Sequence, residues 1–260
     1  MTLLPFFQVD AFASAPFEGN PAAVMPLDHW LSDATLQDIA AENNLSETAF
    51  TVPSESGEVD YDLRWFTPTV EVNLCGHATL AAAHILMKGA GIRFATRSGV
   101  LSVSREAGLL WLDLPAFEVA EGEEPGLRAA LGQSDAPCFL GRDGNGSAIM
   151  LLGDEAAVRA VAPDFAALGT IDRLVIVTAP GDNTAVVSRV FAAYHGIDED
   201  PVTGAAHAAL VPFWANRLGR GRFSALQASK RTGSIECELR GERVRLGGHA
   251  VTVIEGHFQL

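Results

Sequence analysis

The sequence predicts an α+β protein of two similar domains, each a sheet folded around one buried helix. Three observations carry that expectation. Gly76-His-Ala-Thr-Leu-Ala-Ala-Ala83 and Gly204-Ala-Ala-His-Ala-Ala-Leu210 are both runs of small helix formers entered through a glycine. They stand 128 positions apart (204 − 76) in a chain of 260 residues, the spacing of a duplicated domain and not of a short solenoid repeat. Each follows a matching strand, Arg64-Trp-Phe-Thr67 in the first half and Arg189-Val-Phe-Ala192 in the second. The first run, apolar nearly all round, belongs inside a sheet.

In chain order, Pro5 to Phe12 predicts a strand, Phe17-Glu-Gly-Asn-Pro21 a turn and Ala22 to Met25 a second strand. Ser32 is the N-cap of a helix whose Leu36, Ile39 and Ala40 share a face and which stops at Asn43-Asn44. Leu45 to Val52 is a strand entered through Ser46 and Glu47, so Glu47 stands on a helix-to-strand corner. Asp60 to Phe66 alternates as a strand, the helix from Gly76 runs to about Gly89, and strands follow at 92–96, 99–105 and 109–114. Pro115 to Pro125, acidic and bounded by prolines, is the linker, which divides the chain into domains 1–116 and 117–249 with 250–260 completing the first. The second half continues with a short helix at 127–131, strands at 137–140 and 147–152, and a helix at 154–161. Strands at 174–179 and 186–194 then lead to the acidic loop before Gly204. After the second central helix come strands at 227–229, 234–239 and 243–246 and a last hairpin at 250–260. Gly141-Arg-Asp-Gly-Asn-Gly146 has no following Lys-Ser/Thr and reads as a hairpin turn, not a phosphate loop.

A formal net charge of −14 argues against nucleic acid or an anionic membrane as partner, since both are polyanions. Cys75, Cys138 and Cys237 are widely spaced and odd in number, which fits neither a disulfide framework nor a thiolate zinc site and suits a reducing cytoplasm. The histidines show no HExxH-type spacing, so no metal is expected. No basic leader and no run of about 18 apolar residues is present.

If the two domains face each other, both helix N-termini open into one cleft, where their free N–H groups would hold a carboxylate. Asp200, just outside the second mouth, would hold or shuttle a proton.

Seven stretches carry a resemblance across nearly the whole chain. Asp10-Ala-Phe12, Phe17-Glu-Gly-Asn-Pro21, Asn44-Leu-Ser-Glu-Thr48 and Phe66-Thr-Pro68 lie ahead of Cys75-Gly-His-Ala-Thr79, Glu199-Asp-Pro-Val-Thr-Gly-Ala205 and Gly247-Gly-His-Ala-Val251. In that order they resemble the phenazine-biosynthesis PhzF-like isomerase family. The resemblance implies the diaminopimelate-epimerase-like fold, in which two domains, each a barrel-like sheet around a central helix, flank the active site. It also implies a homodimer and no cofactor. It places the general acid/base on Glu47, with His77 and Asp200 as the other catalytic residues, and substrate contacts at Asp10, Asn20, Ser46, Gly76, Thr203, Gly204, Ala205 and Arg231. Ala205 stands where the family has a serine, so one polar contact is missing. The resemblance therefore carries the proton chemistry and not the family's dihydro-hydroxyanthranilate substrate.

The expected function is a cofactor-independent isomerase acting on a small carboxylated substrate, amino acid-like or a cyclic diene. Such an enzyme removes a proton from carbon and returns one elsewhere, which needs a residue that works in both directions. Two alternatives remain open: a non-catalytic binder of the same fold, and a two-thiol racemase. Cys75 occupies the position of the first thiol in a two-thiol racemase, but no sulfur lies near Pro201 and Val202, where the second should be.

Overall fold

The computed structural model describes residues 2–142 and 146–260, so the centre of the glycine-rich stretch at 141–146 lies outside the described residues. It divides into two compact units, one running through Asp113 and including Gly247–Leu260, the other Leu114–Leu246. No helix among the described residues is long and apolar enough to cross a membrane.

The first unit begins with β1 (Leu3–Ala11), β2 (Asn20–Pro26), α1 (Asp33–Asn43), β3 (Glu47–Pro53), β4 (Tyr61–Phe66) and β5 (Glu71–Val72). The central helix α2 (Gly76–Leu86) and strands β6 (Gly91–Thr96), β7 (Gly99–Glu106) and β8 (Leu109–Pro115) follow. β1 and β2 pair antiparallel, β2 and β3 parallel, β3 and β4 antiparallel, β4 and β6 parallel, and β6 and β7 antiparallel. The stretch expected as a last hairpin is one strand, Ala250–Gln259, antiparallel to β1. Its partner stands at the other end of the chain, so no local pattern announces the pairing. α2 is buried at every position from Gly76 to Ala83 and lies against β1, β2 and β3, because its alanines leave only small side chains between helix and sheet.

The second unit runs β9 (Val119–Glu121), α3 (Leu127–Leu131), β10 (Cys138–Gly141), β11 (Ser147–Leu151), α4 (Glu155–Ala160), α5 (Phe165–Leu168), β12 (Leu174–Pro180) and β13 (Val186–Ala192). After one 3-10 turn come β14 (Ile197–Asp200), α6 (Gly204–Leu218), β15 (Arg222–Gln227), β16 (Gly233–Arg240) and β17 (Arg243–Gly248). Its pairings repeat those of the first unit in the same order. β10 and β11 pair antiparallel, β11 and β12 parallel, β12 and β13 antiparallel, β13 and β15 parallel, and β15 and β16 antiparallel. The duplication extends to side chains. Arg64 on β4 forks onto Glu71 at 2.8 and 2.7 Å, and Arg189 on β13 forks onto Glu199 at 2.7 and 2.9 Å. Each guanidinium also lies about 5 Å from the phenylalanine two residues on, 5.1 Å for Phe66 and 5.0 Å for Phe191.

Three further local readings differ from the sequence expectation. The linker contains β9, which pairs with β10; the acidic stretch before Gly204 is strand β14, paired with β13; and the strand expected at 227–229 lies earlier, at Arg222–Gln227. β9, Val-Ala-Glu, and β14, Ile-Asp-Glu-Asp, are only three and four residues long and lack the alternation by which strands are read. Inside α6, Pro212 cannot donate to the carbonyl of Ala208, and that carbonyl instead accepts the N–H of Phe117 at 3.0 Å. The helix thus keeps its proline with the freed acceptor satisfied.

Candidate active site

Helix capping separates the helices into two kinds. Ser32, Asp154 and Asp164 accept the N–H of Thr35, Ala157 and Ala167 and so cap α1, α4 and α5. The short α3 after the exposed Gly126 and the central helices α2 and α6 have no side-chain cap, and of these only α2 and α6 are entered through a buried residue, Cys75 or Thr203. The first turns of α2 and α6 keep N–H groups and a positive dipole end to offer an anion.

At the mouth of α2 four parts of the first unit converge. Asn44 ends α1 in the left-handed conformation (φ 49°) and turns the chain through Ser46 into β3. Glu47 opens β3 opposite Ala22 of β2, two residues from Asn20. Gly19 (φ 65°) precedes Asn20, and a Cβ there would stand 2.1 Å from the Ala11 carbonyl oxygen, so only glycine closes this turn. The buried carboxylate of Asp10 accepts the N–H of Phe17 at 3.0 Å and ties the β1–β2 loop down beside it.

His77, on the first turn of α2, is the hub. Its Nδ1 faces Asn20 Nδ2 at 3.2 Å and Cys75 Sγ at 3.5 Å, and Ser46 Oγ donates to Asn20 Oδ1 at 3.2 Å. Its Nε2 approaches Glu47 Oε2 to 3.0 Å. That approach lacks the alignment of a directed hydrogen bond, and both atoms are buried without another partner. Two buried polar atoms poised this way form a place where a proton can be received or given. A carboxylate oxygen of Glu47, Cys75 Sγ and a ring nitrogen of His77 lie within 4.8 Å of one another. The ring turns different nitrogens to Cys75 and Glu47.

Burial pushes the Cys75 thiol up to about 11, with the nearby Glu47 carboxylate adding to the effect. Burial also opposes a charged His77 ring, but Cys75 and Glu47 outweigh it and raise the imidazole above its ordinary value. The share from Cys75 needs a thiolate, which a thiol raised to about 11 does not supply at neutral pH. The Glu47 carboxylate is the cause that acts there.

The second unit holds Asp200, Thr203, Gly204 and Ala205 at the mouth of α6. Thr203 Oγ1 donates to the buried carboxylate of Asp200. Gln227, fully buried on β15 and not anticipated from sequence, accepts the Thr203 N–H at 2.9 Å and donates to the Asp200 carbonyl at 2.7 Å. Arg231 is half-buried in the β15–β16 loop. His207, one turn into α6, uses Nδ1 on its own helix, at 2.9 Å from the Thr203 carbonyl. Burial pushes its imidazole down to about 4. The structure thus brings Asn20, Ser46, Glu47, Gly76 and His77 together in one unit and Asp200, Thr203, Gly204 and Ala205 together in the other.

The family model described as phenazine biosynthesis-like protein matches residues 9–256. An uncharacterized isomerase of Pseudomonas aeruginosa is 50% identical over 264 residues, covering 99% of each chain. A crystal structure of a phenazine biosynthesis protein of the PhzF family from Enterococcus faecalis is 43% identical with a TM-score of 0.93, covering 100% of both chains. A structure titled as a predicted epimerase from Pseudomonas aeruginosa shares the fold, with a TM-score of 0.75 at 21% identity and 99% coverage of both chains.

Proposed function

The chain belongs to the phenazine biosynthesis-like family, and from that premise we propose that it is an isomerase that moves a proton on a small carboxylated substrate, with Glu47 as general acid/base. The observation that carries this reading is the 3.0 Å approach of Glu47 Oε2 to His77 Nε2, both buried and neither in a directed bond. A substrate carbon presented there loses its proton to Glu47. The electron pair moves into the conjugated system of the substrate, and Glu47 returns the proton to a second position, so that no atom or electron is gained. The uncapped first turn of α2, beginning at Gly76, supplies N–H groups for the carboxylate and for the charge that develops as the proton leaves. The participation of Asp200 and of the α6 mouth, and action as a homodimer without cofactor, form part of the same proposal.

The reading is tested by incubating the protein with a panel of amino-acid, aromatic and cyclic-diene carboxylates in deuterated water. At least one compound should take up deuterium at carbon and be converted to an isomer. Compounds that raise the melting temperature yet never exchange across the whole panel would make the protein a binder and overturn the proposal.

A further inference from the structure

We propose that Asn20 is a positioning residue for the reaction: its amide sets the tautomer of His77, leaving Nδ1 bare and placing the ring hydrogen on Nε2, the nitrogen beside Glu47. The geometry stands apart from any substrate. Asn20 is 0% exposed, and its Nδ2 lies 3.2 Å from His77 Nδ1. An amide nitrogen has only hydrogens to offer, so the ring nitrogen that meets it must be the acceptor. In a neutral imidazole the hydrogen then sits on the other nitrogen, which is the one 3.0 Å from Glu47 Oε2.

Two further contacts meet this pair: Ser46 Oγ donates to Oδ1 at 3.2 Å, and Cys75 Sγ lies 3.5 Å from the same ring nitrogen. The orientation of the amide and the tautomer of the ring are therefore set together, since a flipped amide would put Oδ1 against Nδ1 and turn its hydrogens to Ser46 Oγ. A second proton on Nδ1 would meet the amide hydrogens directly, so Asn20 works against the rise that the Glu47 carboxylate causes in His77. For the chemistry, the ring hydrogen then lies on the nitrogen beside the carboxylate, which leaves Glu47 as the proton acceptor. With the opposite tautomer a lone pair would face the carboxylate, and both groups would compete for one proton.

The consequence for turnover rests on the proposed function, whereas the tautomer does not, and the test separates the two. Nitrogen–hydrogen correlation spectra of the histidine rings, with His77 assigned by loss of its signals in His77→Gln, read the protonation of each ring nitrogen in the ligand-free protein. At a pH above the raised His77 value, where the ring is neutral, the wild type should show a bare Nδ1 and a protonated Nε2. Asn20→Asp, whose carboxylate only accepts, should protonate Nδ1. Asn20→Ala, which removes the donor without adding charge, should bring in an Nδ1–H population and decides the question if the aspartate variant does not fold. With any carboxylate found to exchange with deuterated water, Asn20→Asp should lower kcat about 100-fold and change KM less than about 3-fold, the scale of a lost proton-transfer partner. A protonated Nδ1 in the wild type, an Nδ1 unmoved in both variants, or a moved tautomer with unchanged kcat would each overturn the proposal. The expected spectra together with undiminished exchange in Glu47→Gln would instead locate the failure in the reading of Glu47.

Discussion

The two central helices carry one histidine each near their mouths, and the two rings are wired in opposite ways. His77 turns Nδ1 to a neighbouring strand's amide and Nε2 to a carboxylate, so both nitrogens belong to a network assembled from β2, β3 and α2. His207 spends Nδ1 on the carbonyl of Thr203 in its own helix and is pushed down to about 4 by burial. The scaffold around them is repeated strand for strand and even fork for fork, at Arg64–Glu71 and Arg189–Glu199. Duplication therefore copies the framework, while the chemistry depends on which polar partners a few positions receive. In the first unit these are a carboxyl and an amide that address a ring; in the second, Gln227 and Thr203 hold an aspartate in place.

The contrast can be broken at its strongest point by replacing each histidine with glutamine. His77→Gln should lower the rate of carbon-bound hydrogen exchange by about 100-fold or more, the usual share of a general acid–base partner, while His207→Gln should leave most of it. Equal losses from the two would erase the distinction.

Acid unfolding sharpens it next. An unfolded histidine takes a proton near 6.5, whereas folded His207 resists until about 4. The unfolded state therefore binds more protons between those values, and stability falls as the pH drops from 6.5 to 4. The loss should be about 3 kcal/mol at about 1.4 kcal/mol per pH unit, levelling off below about 4. Denaturant melts at pH 7 and pH 4.5 should show a smaller loss in His207→Gln than in the wild type.

Gln227→Ala would leave the Thr203 N–H and the Asp200 carbonyl, bonded at 2.9 and 2.7 Å, without their partner. Denaturation should show a cost of about 2 kcal/mol, the scale of stranding a buried polar group. The smallest effect tests the repeated framework. Arg64→Lys and Arg189→Lys each lose a two-pronged bond that an ammonium cannot make, and thermal melts should register similar losses of about 1 kcal/mol. A large effect at one and none at the other would mean that the forks are not equivalent.

Much of this was readable from the chain. A helix apolar on every face has nowhere to go but the interior, which is why the glycine-entered runs at Gly76 and Gly204 announced the architecture. The position of Glu47 followed from the stop at Asn44 and the strand that begins after it. The polar network was not readable, because its partners are joined by pairing and not by sequence. Asn20 and His77 lie 57 positions apart, and Gln227 and Thr203 lie 24 apart. An isolated amide residue gives no periodic signal, so neither the turn of Asn20 towards His77 nor the role of Gln227 could be seen until β2 and β15 were in place. β14 escaped for a related reason: Ile-Asp-Glu-Asp has no alternating apolar face, and only its partner β13 makes it a strand.

The central claim is that Glu47 carries the proton. It is tested most directly by following deuterium uptake at carbon in a carboxylate that the wild type exchanges, with Glu47→Gln beside it under the same conditions. The glutamine variant should still bind that compound, shown by an undiminished rise in melting temperature, and should incorporate no deuterium. Exchange at the wild-type rate in the folded variant would contradict the account.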